Sequence, residues 1–342
     1  MRKLAKNNKV LIIAEAGINH NGNFKIAKKL IDVCKNIGAD AVKFQTFKAE
    51  NVISKFARKL TYQKSKKGDN QSQLEMLRSY ELKDKEFFRL KKHCEKKKII
   101  FMSTPKDLES AEFLNKINMK IFKIGSGEAN NYELINKISN FYKKTIISTG
   151  MCTLDEVKKI YQIFKGKKKK NLSLLHCTSL YPCPIDECNL SSITTMRRIF
   201  DVDIGFSDHT TGIEASVGAV AMGSKIIEKH ITLDKKMKGP DHQASLNPSE
   251  FEILIKKIRF MERLMGKSKK QPSKKEKKNI KLIRRGLVYK KDLVSGCIIK
   301  RSDIQIKRPM LALKPEDLSK VIGKKLKNKV YKDQPIFLRH FI

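Results

Sequence analysis

The sequence predicts a (β/α)₈ barrel followed by a small β-rich module. Three observations lead there. Eight short apolar runs alternate with segments of helical spacing between residues 10 and 266. Each run ends on polar, ionisable or Gly-flanked residues, the edge at which a barrel carries its active site. No Gly-x-Gly-x-x-Gly occupies the first strand–helix turn, which removes the main signature of a dinucleotide-binding sheet. An open doubly wound sheet is the alternative that a strand count leaves.

Residues 10–14 (VLIIA) form a continuous apolar run, as expected of a strand buried on both faces. The run ends on Glu15 and the turn residues 17–22 (GINHNG). Residues 24–36 follow with helical spacing of Ile26, Ala27, Leu30, Ile31 and Cys34, and residues 41–45 (AVKFQ) are the second strand. Residues 47–80 are polar and too long for a structureless connection, so an inserted loop over the active face is expected. A helix over 82–97 leads to strand three at 99–102, which ends in Ser103-Thr104-Pro105. The next helix, 107–116, has Asp107 as its candidate N-cap. Strand four is 121–124 and ends in Gly125-Ser126-Gly127-Glu128.

The alternation continues with a helix at 132–139, strand five at 145–148 ending in Thr149-Gly150-Met151, and a helix at 153–164. Strand six, 172–176, runs into CTSLYP, and a helix follows at 190–200. Strand seven, 203–206, ends in Ser207-Asp208-His209. The small residues of 212–222 suit a helix packed closely on the sheet, and strand eight, 224–231, carries His230. The last barrel helix is 248–266, with Phe251, Leu254, Ile255, Ile258, Met261, Leu264 and Met265 on one face. Residues 1–266 are thus the barrel and 267–284 a charged linker. The β-rich module is 285–342, with short strands at 287–289, 298–299 and 304–306 and short helices opening at Ser302 and Pro315. A module this small is expected to lean on the barrel or on a second chain.

Lys and Arg number 74 against 35 Asp and Glu, a formal charge of +39. The excess is mostly Lys and is spread along the chain. The basic runs 167–170 and 267–278 contain no aromatic residue and the chain has no Trp, which argues against a nucleic-acid binder. The charge should still draw anionic ligands to a cleft. The seven cysteines are odd in number and form no Cys-x-x-Cys, so a reducing compartment is expected. The first apolar run is too short for a signal-peptide core, and no segment approaches a membrane span. A cytoplasmic protein without a membrane partner is the expectation.

The strand ends gather Glu15; Lys43 and Gln45; Thr104; Ser126 and Glu128; Thr149; Thr178, Ser179 and Tyr181; Ser207 and His209; and His230. His209 and His230 end neighbouring strands and would emerge side by side, which suits a metal pair, or two histidines each bonded to backbone. Lys43 and Lys123 interrupt apolar strands. An inward lysine is costly unless paired, so each is either a seat for an anion or a stem reaching to the rim. Gly125-Ser126-Gly127 can turn N–H groups to a phosphate. Glu15 and Glu128 suit proton transfer or metal binding, or pairing with the lysines. Glu228 shares the phase of His230 and would orient it or form a structural ion pair. His176 reads as structural, His93 as surface, and His20 lies near the cleft.

Taken together, AEAGINHNG (14–22), KFQTFKAE (43–50), QLEMLRSYEL (73–82), STP (103–105), FKIGSGE (122–128), STGM (148–151), LLHCTSLYP (174–182), GFSDHT (205–210), EKHITLD (228–234), GPDHQASL (239–246) and KRP (307–309) resemble the sialic acid synthases. That family includes the N-acetylneuraminate, legionaminate and pseudaminate synthases. The motifs match nearly end to end and in order. The resemblance implies a (β/α)₈ barrel followed by an antifreeze-like (SAF) domain. It implies condensation of phosphoenolpyruvate with an open-chain N-acyl amino-sugar to a nine-carbon 3-deoxy-ulosonic acid and phosphate. It also implies Mn²⁺ or Mg²⁺ held by His209 and His230. Lys43, Thr104, Lys123, Ser126 and Ser207 would surround phosphoenolpyruvate; Gln45, Ser179, Tyr181 and Asp241 would meet the sugar. Glu15 and Glu128 would handle water and protons. Arg308 would reach the sugar in the partner subunit of a domain-swapped homodimer.

The chain departs from the family pattern in three places. Lys106 follows STP where Phe is usual, Met310-Leu311-Ala312 replaces a Gly-x-Gly turn after KRP, and Ser179 stands where some members have Asn. N-acetylneuraminate synthesis from N-acetylmannosamine is the leading expectation. Legionaminate or pseudaminate synthesis from a 2,4-diacetamido-2,4,6-trideoxyhexose is the alternative. A non-catalytic polyanion binder and a Schiff-base aldolase using Lys123 or Lys43 are the readings from other classes.

Overall fold

The computed structural model describes residues 9–59 and 72–342. The basic head of the chain and the middle of the 47–80 insertion lie outside the described residues. Eight parallel strands close into a barrel in sequence order: β1 (Leu11–Gly17), β2 (Ala41–Thr46), β3 (Ile100–Pro105), β4 (Ile121–Ile124), β5 (Lys144–Ser148), β6 (Leu172–Cys177), β7 (Asp203–Asp208) and β8 (Ile226–His230). The closing pair aligns Glu15 of β1 with both His230 of β8 and Lys43 of β2.

Helices cover the outside. These are α1 (Phe24–Asn36), α2 (Ala49–Val52), α3 (Gln73–Ser79), α4 (Asp84–Lys97), α5 (Leu108–Lys116), α6 (Tyr132–Ser139), α7 (Leu154–Ile163), α8 (Ser191–Ile199), α9 (Glu214–Ala221) and α10 (Pro248–Met265). Asp107 caps α5 by accepting from the Ser110 N–H, as its position suggests. The insertion is not simply a loop. Its described parts hold α2 and α3, which share a small core of Ile18, Phe47, Ala49, Met76 and Leu77. On α10 the apolar face buries Phe251, Leu254, Ile255 and Ile258, but Leu264 and Met265 in the last turn are exposed.

The barrel interior explains the strands. Leu11, Ile13, Ala41, Met102, Ile121, Ile146, Leu175 and Ile226 form one buried apolar cluster drawn from seven strands. The eighth strand, β7, contributes Gly205, where an added Cβ would sit 2.4 Å from the Ile226 carbonyl oxygen. This plug fills the amino half of the barrel. Intervening residues such as Ile12, Val42, Phe122, Ile147 and Leu174 point outward into the larger core beneath the helices.

The chain divides into two compact units, the first ending at Gly266 and the second spanning Lys267–Ile342. The charged stretch 267–284 carries a further helix, α11 (Lys274–Ile283), opened by a Ser273–Glu276 capping box. Beyond it, β9 (Gly286–Tyr289) and β10 (Ile304–Lys307) pair antiparallel over a core that includes Tyr289, Ile299, Val321 and Ile336. Residues 298–299 form no strand; Ile298 makes one isolated bridge to Lys325. Short 3₁₀ turns stand at Arg301–Asp303 and Pro315–Lys320. No helix among the described residues is long and apolar enough to cross a membrane. All seven cysteines are free.

Candidate active site

Two residues beyond each member of the apolar plug, every strand places another inward side chain. Side chains alternate across a strand, so this step of two stays inside the barrel. The second ring reads Glu15, Lys43, Thr104, Lys123, Ser148, Cys177, Ser207 and Glu228. All eight are buried, and one is apolar in character. Strands β1, β3 and β7 run further than their apolar runs suggest, so Glu15, Thr104 and Ser207 sit within strands rather than in turns.

A closed charge network links the ring. Lys43 Nζ lies 3.0 Å from Glu15 Oε2 and 3.6 Å from Glu228 Oε1, and it donates to Thr104 Oγ1 at 3.1 Å. Lys123 Nζ lies 3.5 Å from the same Glu228 oxygen and donates to the Ile124 carbonyl. Ser207 Oγ donates to Glu228 at 3.2 Å, and Gln45 Nε2 donates to Glu15 Oε1 at 3.2 Å. Two carboxylates and two ammoniums thus share one buried space. The carboxyl groups diverge. Burial raises Glu15, opposed by Lys43 and reinforced by Glu228. Burial also acts on Glu228, but Lys123 and Lys43 together hold it below the ordinary range. Lys123 is lowered by its burial. Glu228 therefore partners the two lysines; no bond to His230 joins them, and the ion-pair alternative is the one realised. One Glu228 oxygen still lacks a hydrogen-bond partner.

At the next level up, Gly150 draws β4, β5 and β6 together. Its N–H donates to Ser126 Oγ at 3.0 Å. A Cβ there would lie 2.3 Å from Ser179 Oγ and 2.7 Å from Ser126 Oγ, so only glycine lets these hydroxyls converge. Ser148 adds a buried hydroxyl with no hydrogen-bond partner. Thr149, the residue expected to serve the end of this strand, instead spends Oγ1 on the Leu175 carbonyl. The two-residue step from Ile146 to Ser148, and from Leu175 to Cys177, was the signal that would have found both inward residues.

His209 and His230 do emerge together, with ring centroids 5.7 Å apart. Tyr181 stacks near His209 at 4.0 Å and meets His230 edge-on at 5.8 Å. His209 Nδ1 donates to the Thr178 carbonyl at 2.8 Å, which leaves Nε2 as the electron-pair donor whenever the ring is neutral; burial opposes its protonation, but Cys177 and the Thr178 carbonyl raise it above the ordinary range. Burial, and next the neighbouring His209, hold His230 well below the ordinary histidine range. Its Nδ1 has no hydrogen-bond partner, and Asp241 Oδ2 lies 3.8 Å away. Asp241 is raised by burial, with Lys106 and His209 opposing. Behind it, Ser245 Oγ donates to the Asp241 carbonyl at 2.6 Å and accepts from Asn19 Nδ2 at 2.9 Å. His242 bonds Thr232 and Asn21. These contacts pin the 239–246 loop onto the turn after β1.

The remaining expectations separate. Glu128 is half-buried in the Ser126–Glu128 turn and has no ion-pair partner among the described residues. Arg308 follows β10 in the second unit. His176 is structural, bonded to the Cys188 carbonyl and stacked on Phe206. His93 is half-buried rather than surface, held by Asp32 at 2.8 Å. His20 is fully buried against Phe44, and burial lowers it to about 4.

Residues 30–270 match the NeuB family, and residues 284–341 match the SAF domain. The chain belongs to the NeuB family. It is 45% identical to an N,N'-diacetyllegionaminic acid synthase of Campylobacter jejuni, over 96% of this chain and 98% of that one. It is 40% identical to an enzyme of the same name from Legionella pneumophila, over 92% and 90%. The crystal structure of the N-acetylneuraminic acid (sialic acid) synthetase of Leptospira borgpetersenii, in complex with citrate, superposes with a TM-score of 0.73 at 34% identity, over 82% of this chain and 95% of that one. This NeuB-family chain is therefore an enzyme of the sialic acid synthases, built as an eight-stranded parallel barrel with a C-terminal SAF domain.

The residues present fit a divalent cation of one kind. No group of three or more His, Cys, Asp or Glu side chains converges as a metal site among the described residues. Two imidazoles, one with an unpartnered buried nitrogen, fit an open site whose other positions belong to substrate and water, not a closed structural site.

Proposed function

We propose that this enzyme is an N,N'-diacetyllegionaminic acid synthase. It condenses phosphoenolpyruvate with an open-chain 2,4-diacetamido-2,4,6-trideoxyhexose and water, giving the nine-carbon acid and phosphate. The observation that carries this choice of sugar is the near full-length identity to two synthases of that name from two organisms. The reading that leads on sequence alone, N-acetylneuraminate from N-acetylmannosamine, stands second. The likeness to the sialic acid synthetase of Leptospira borgpetersenii supports it.

The inner ring suits a trianionic substrate. Lys43 and Lys123 hold carboxylate and phosphate, assisted by the hydroxyls of Thr104, Ser126, Ser148 and Ser207. Glu228 keeps both ammoniums charged and aimed before the anion arrives. C3 of phosphoenolpyruvate attacks the sugar aldehyde, and the aldehyde oxygen takes a proton. Glu15, raised by burial, is the group placed to hold that proton. Attack leaves positive character at C2. Glu128, nearer solvent, takes a proton from the water that adds there, and the C2–O bond to phosphate then breaks. His209 and His230 would hold Mn²⁺ or Mg²⁺, which supplies polarisation of the aldehyde carbonyl when bound. Gln45, Ser179, Tyr181 and Asp241 meet the sugar. Arg308 reaches it from the partner subunit of a domain-swapped homodimer.

The deciding experiment measures phosphate release from phosphoenolpyruvate over a panel of amino-sugars, with added Mn²⁺ and with EDTA. The diacetamido-trideoxyhexose should exceed N-acetylmannosamine by at least roughly tenfold in kcat/KM, and EDTA should stop turnover. Preference for N-acetylmannosamine would select the second reading. Borohydride trapping of a pyruvate adduct at Lys123 or Lys43, without phosphate release, would select an aldolase instead.

A further inference from the structure

At the amino end of the barrel, opposite the site just described, lies a cleft of about 920 Å³. Four consecutive strands frame it at their starts: Lys144 opens β5, Leu172 opens β6, Asp203 opens β7, and Lys225 directly precedes β8. Six of its sixteen lining residues are Lys or Arg and two are Asp. Lys and Arg are 74 of 342 residues in the whole chain, so the cleft is richer in cations than general basicity makes it.

Two of the six cations are adjacent arginines, Arg197 and Arg198, in a chain whose positive charge is mostly lysine. Cations at the end of α8 also suit the helix dipole, which is the plain structural reason for a charge there. That reason does not shape the opposite wall. Arg197 Nη1 donates to the Met222 carbonyl at 2.8 Å, which fixes the guanidinium against the turn before β8. A Cβ on Gly223 would lie 2.4 Å from that nitrogen and 2.5 Å from Cζ, so the wall is moulded around the guanidinium. One of the five N–H donors is used, and the rest of the fork remains available. Arg198, Lys170 and the half-buried Lys225 make no side-chain hydrogen bond or ion pair among the described residues. Burial lowers Lys144; Asp203 opposes that and Lys170 adds to it. Lys144 donates to the Lys170 carbonyl at 2.7 Å and Lys169 pairs with Asp201 at 2.7 Å, so the underpaired cations are Arg198, Lys170 and Lys225, and an anion would relieve their crowding. Phe200, the aromatic residue of the lining, is buried and offers no face for a base to stack on.

We propose that this cleft is a second anion site, taking a small phosphoryl anion of two or more charges between the Arg197–Arg198 forks and Lys225. Guanidinium forks match phosphoryl oxygens two at a time, and the absence of a stacking face points to recognition of the phosphoryl group alone. The site stands apart from the choice of sugar, since none of its residues belongs to the catalytic ring.

The test titrates inorganic pyrophosphate into the full-length enzyme at physiological ionic strength and follows it by calorimetry and by hydrogen exchange. Pyrophosphate should slow exchange in segments 166–171, 197–204 and 223–226. The double variant Arg197→Gln/Arg198→Gln should lose that protection and weaken this binding phase by roughly tenfold or more. Lys225→Gln, which leaves the Arg197 contact intact, should weaken it by about threefold. Lys269→Gln/Lys270→Gln removes the same charge from an exposed stretch and should change it by less than about twofold. Equal losses in the two double variants would reduce the effect to net charge and overturn the proposal. So would protection confined to the carboxyl face of the barrel, or unchanged binding in Arg197→Gln/Arg198→Gln.

Discussion

Two buried ion-pair systems lie back to back on β8, through the adjacent residues Glu228 and Lys229. The outward system is Asp208 with Lys229, 2.8 Å apart and almost wholly buried. Its lone pairs and protons are spoken for. Asp208 accepts from the Thr210 N–H and hydroxyl and from Ser216 Oγ, and Lys229 donates to the Thr210 carbonyl. The inward system, Glu228 with Lys43 and Lys123, has longer contacts and an unpartnered Glu228 oxygen. Around it, Ser148 Oγ and His230 Nδ1 are also unpartnered. Burial does not distinguish a structural ion pair from a functional one here. Satisfaction does: buried polar atoms are normally paired, so a ring of orphans facing one space marks where a ligand completes the bonding.

The sharpest way to break that distinction is at the histidines. His209→Ala and His230→Ala should each lower kcat by about a thousandfold or more, with circular dichroism and Tm close to those of the parent. Near-normal turnover in either would remove the metal pair from the inward system. The next contrast sets the two ion-pair systems against each other. Glu228→Gln should cost roughly a hundredfold in kcat/KM for phosphoenolpyruvate and lose less stability than Asp208→Asn, because Lys43 keeps Glu15 and the Lys123 contact it breaks is the longer one. Asp208→Asn should do the reverse. It leaves Lys229 buried without its carboxylate, at about 3–5 kcal/mol of stability, while the folded fraction keeps its kcat/KM. Denaturant unfolding and steady-state kinetics on both variants check the crossing, and parallel losses in both would erase it.

The same comparison shows what could be read from the sequence. Continuous apolar runs located all eight strands, and β4 and α1 run between the very residues expected. The strand ends were read short because a polar residue inside a barrel looks, in sequence, like the start of a turn. Glu15, Thr104 and Ser207 stay in strand conformation because partners on the neighbouring strands bond them. Those partners, Gln45 and Lys43 of β2 and Glu228 of β8, are far away in the sequence, and no local pattern relates them. For that reason the sequence leaves Glu228 open between orienting His230 and forming a structural ion pair of unspecified partner. Ser148 and Cys177 were passed over in favour of neighbours nearer the turn, although their phase with Ile146 and Leu175 was present throughout.

A buried group with an orphan atom outside the ring gives a milder test. His20 accepts from the Gly22 N–H through Nδ1, while its Nε2 is buried without a partner. Its folded value is about 4 against an ordinary 6.5. The unfolded chain binds the proton first as pH falls, so the contribution is complete above about 6.5 and lost progressively towards 4. Between pH 7 and pH 5 the difference is about 2 kcal/mol. Other histidines titrate too, so the measurement is a difference. Unfolding free energies of the parent and of His20→Gln should converge as the pH is lowered, and parallel curves would show that His20 is not held neutral.

The smallest expected effect is also the most specific to the inward side. Ser245 touches no reacting group; it bonds the backbone of Asp241, and Asn19 orients it. Removing its hydroxyl frees the Asp241 carbonyl but leaves the Asp241 carboxylate and both histidines in place. If the Asn19–Ser245 link serves only to hold the loop, Ser245→Ala loses about 1 kcal/mol of stability and its kinetics stay unchanged. If it positions Asp241 against the sugar, KM for the amino-sugar should rise by roughly threefold to tenfold while KM for phosphoenolpyruvate stays put. Ser245→Thr, which restores a hydroxyl, should recover part of that loss. A shift in both KM values together would place Asp241 with the anion-binding ring instead of the sugar, and would move the boundary between the two halves of the site.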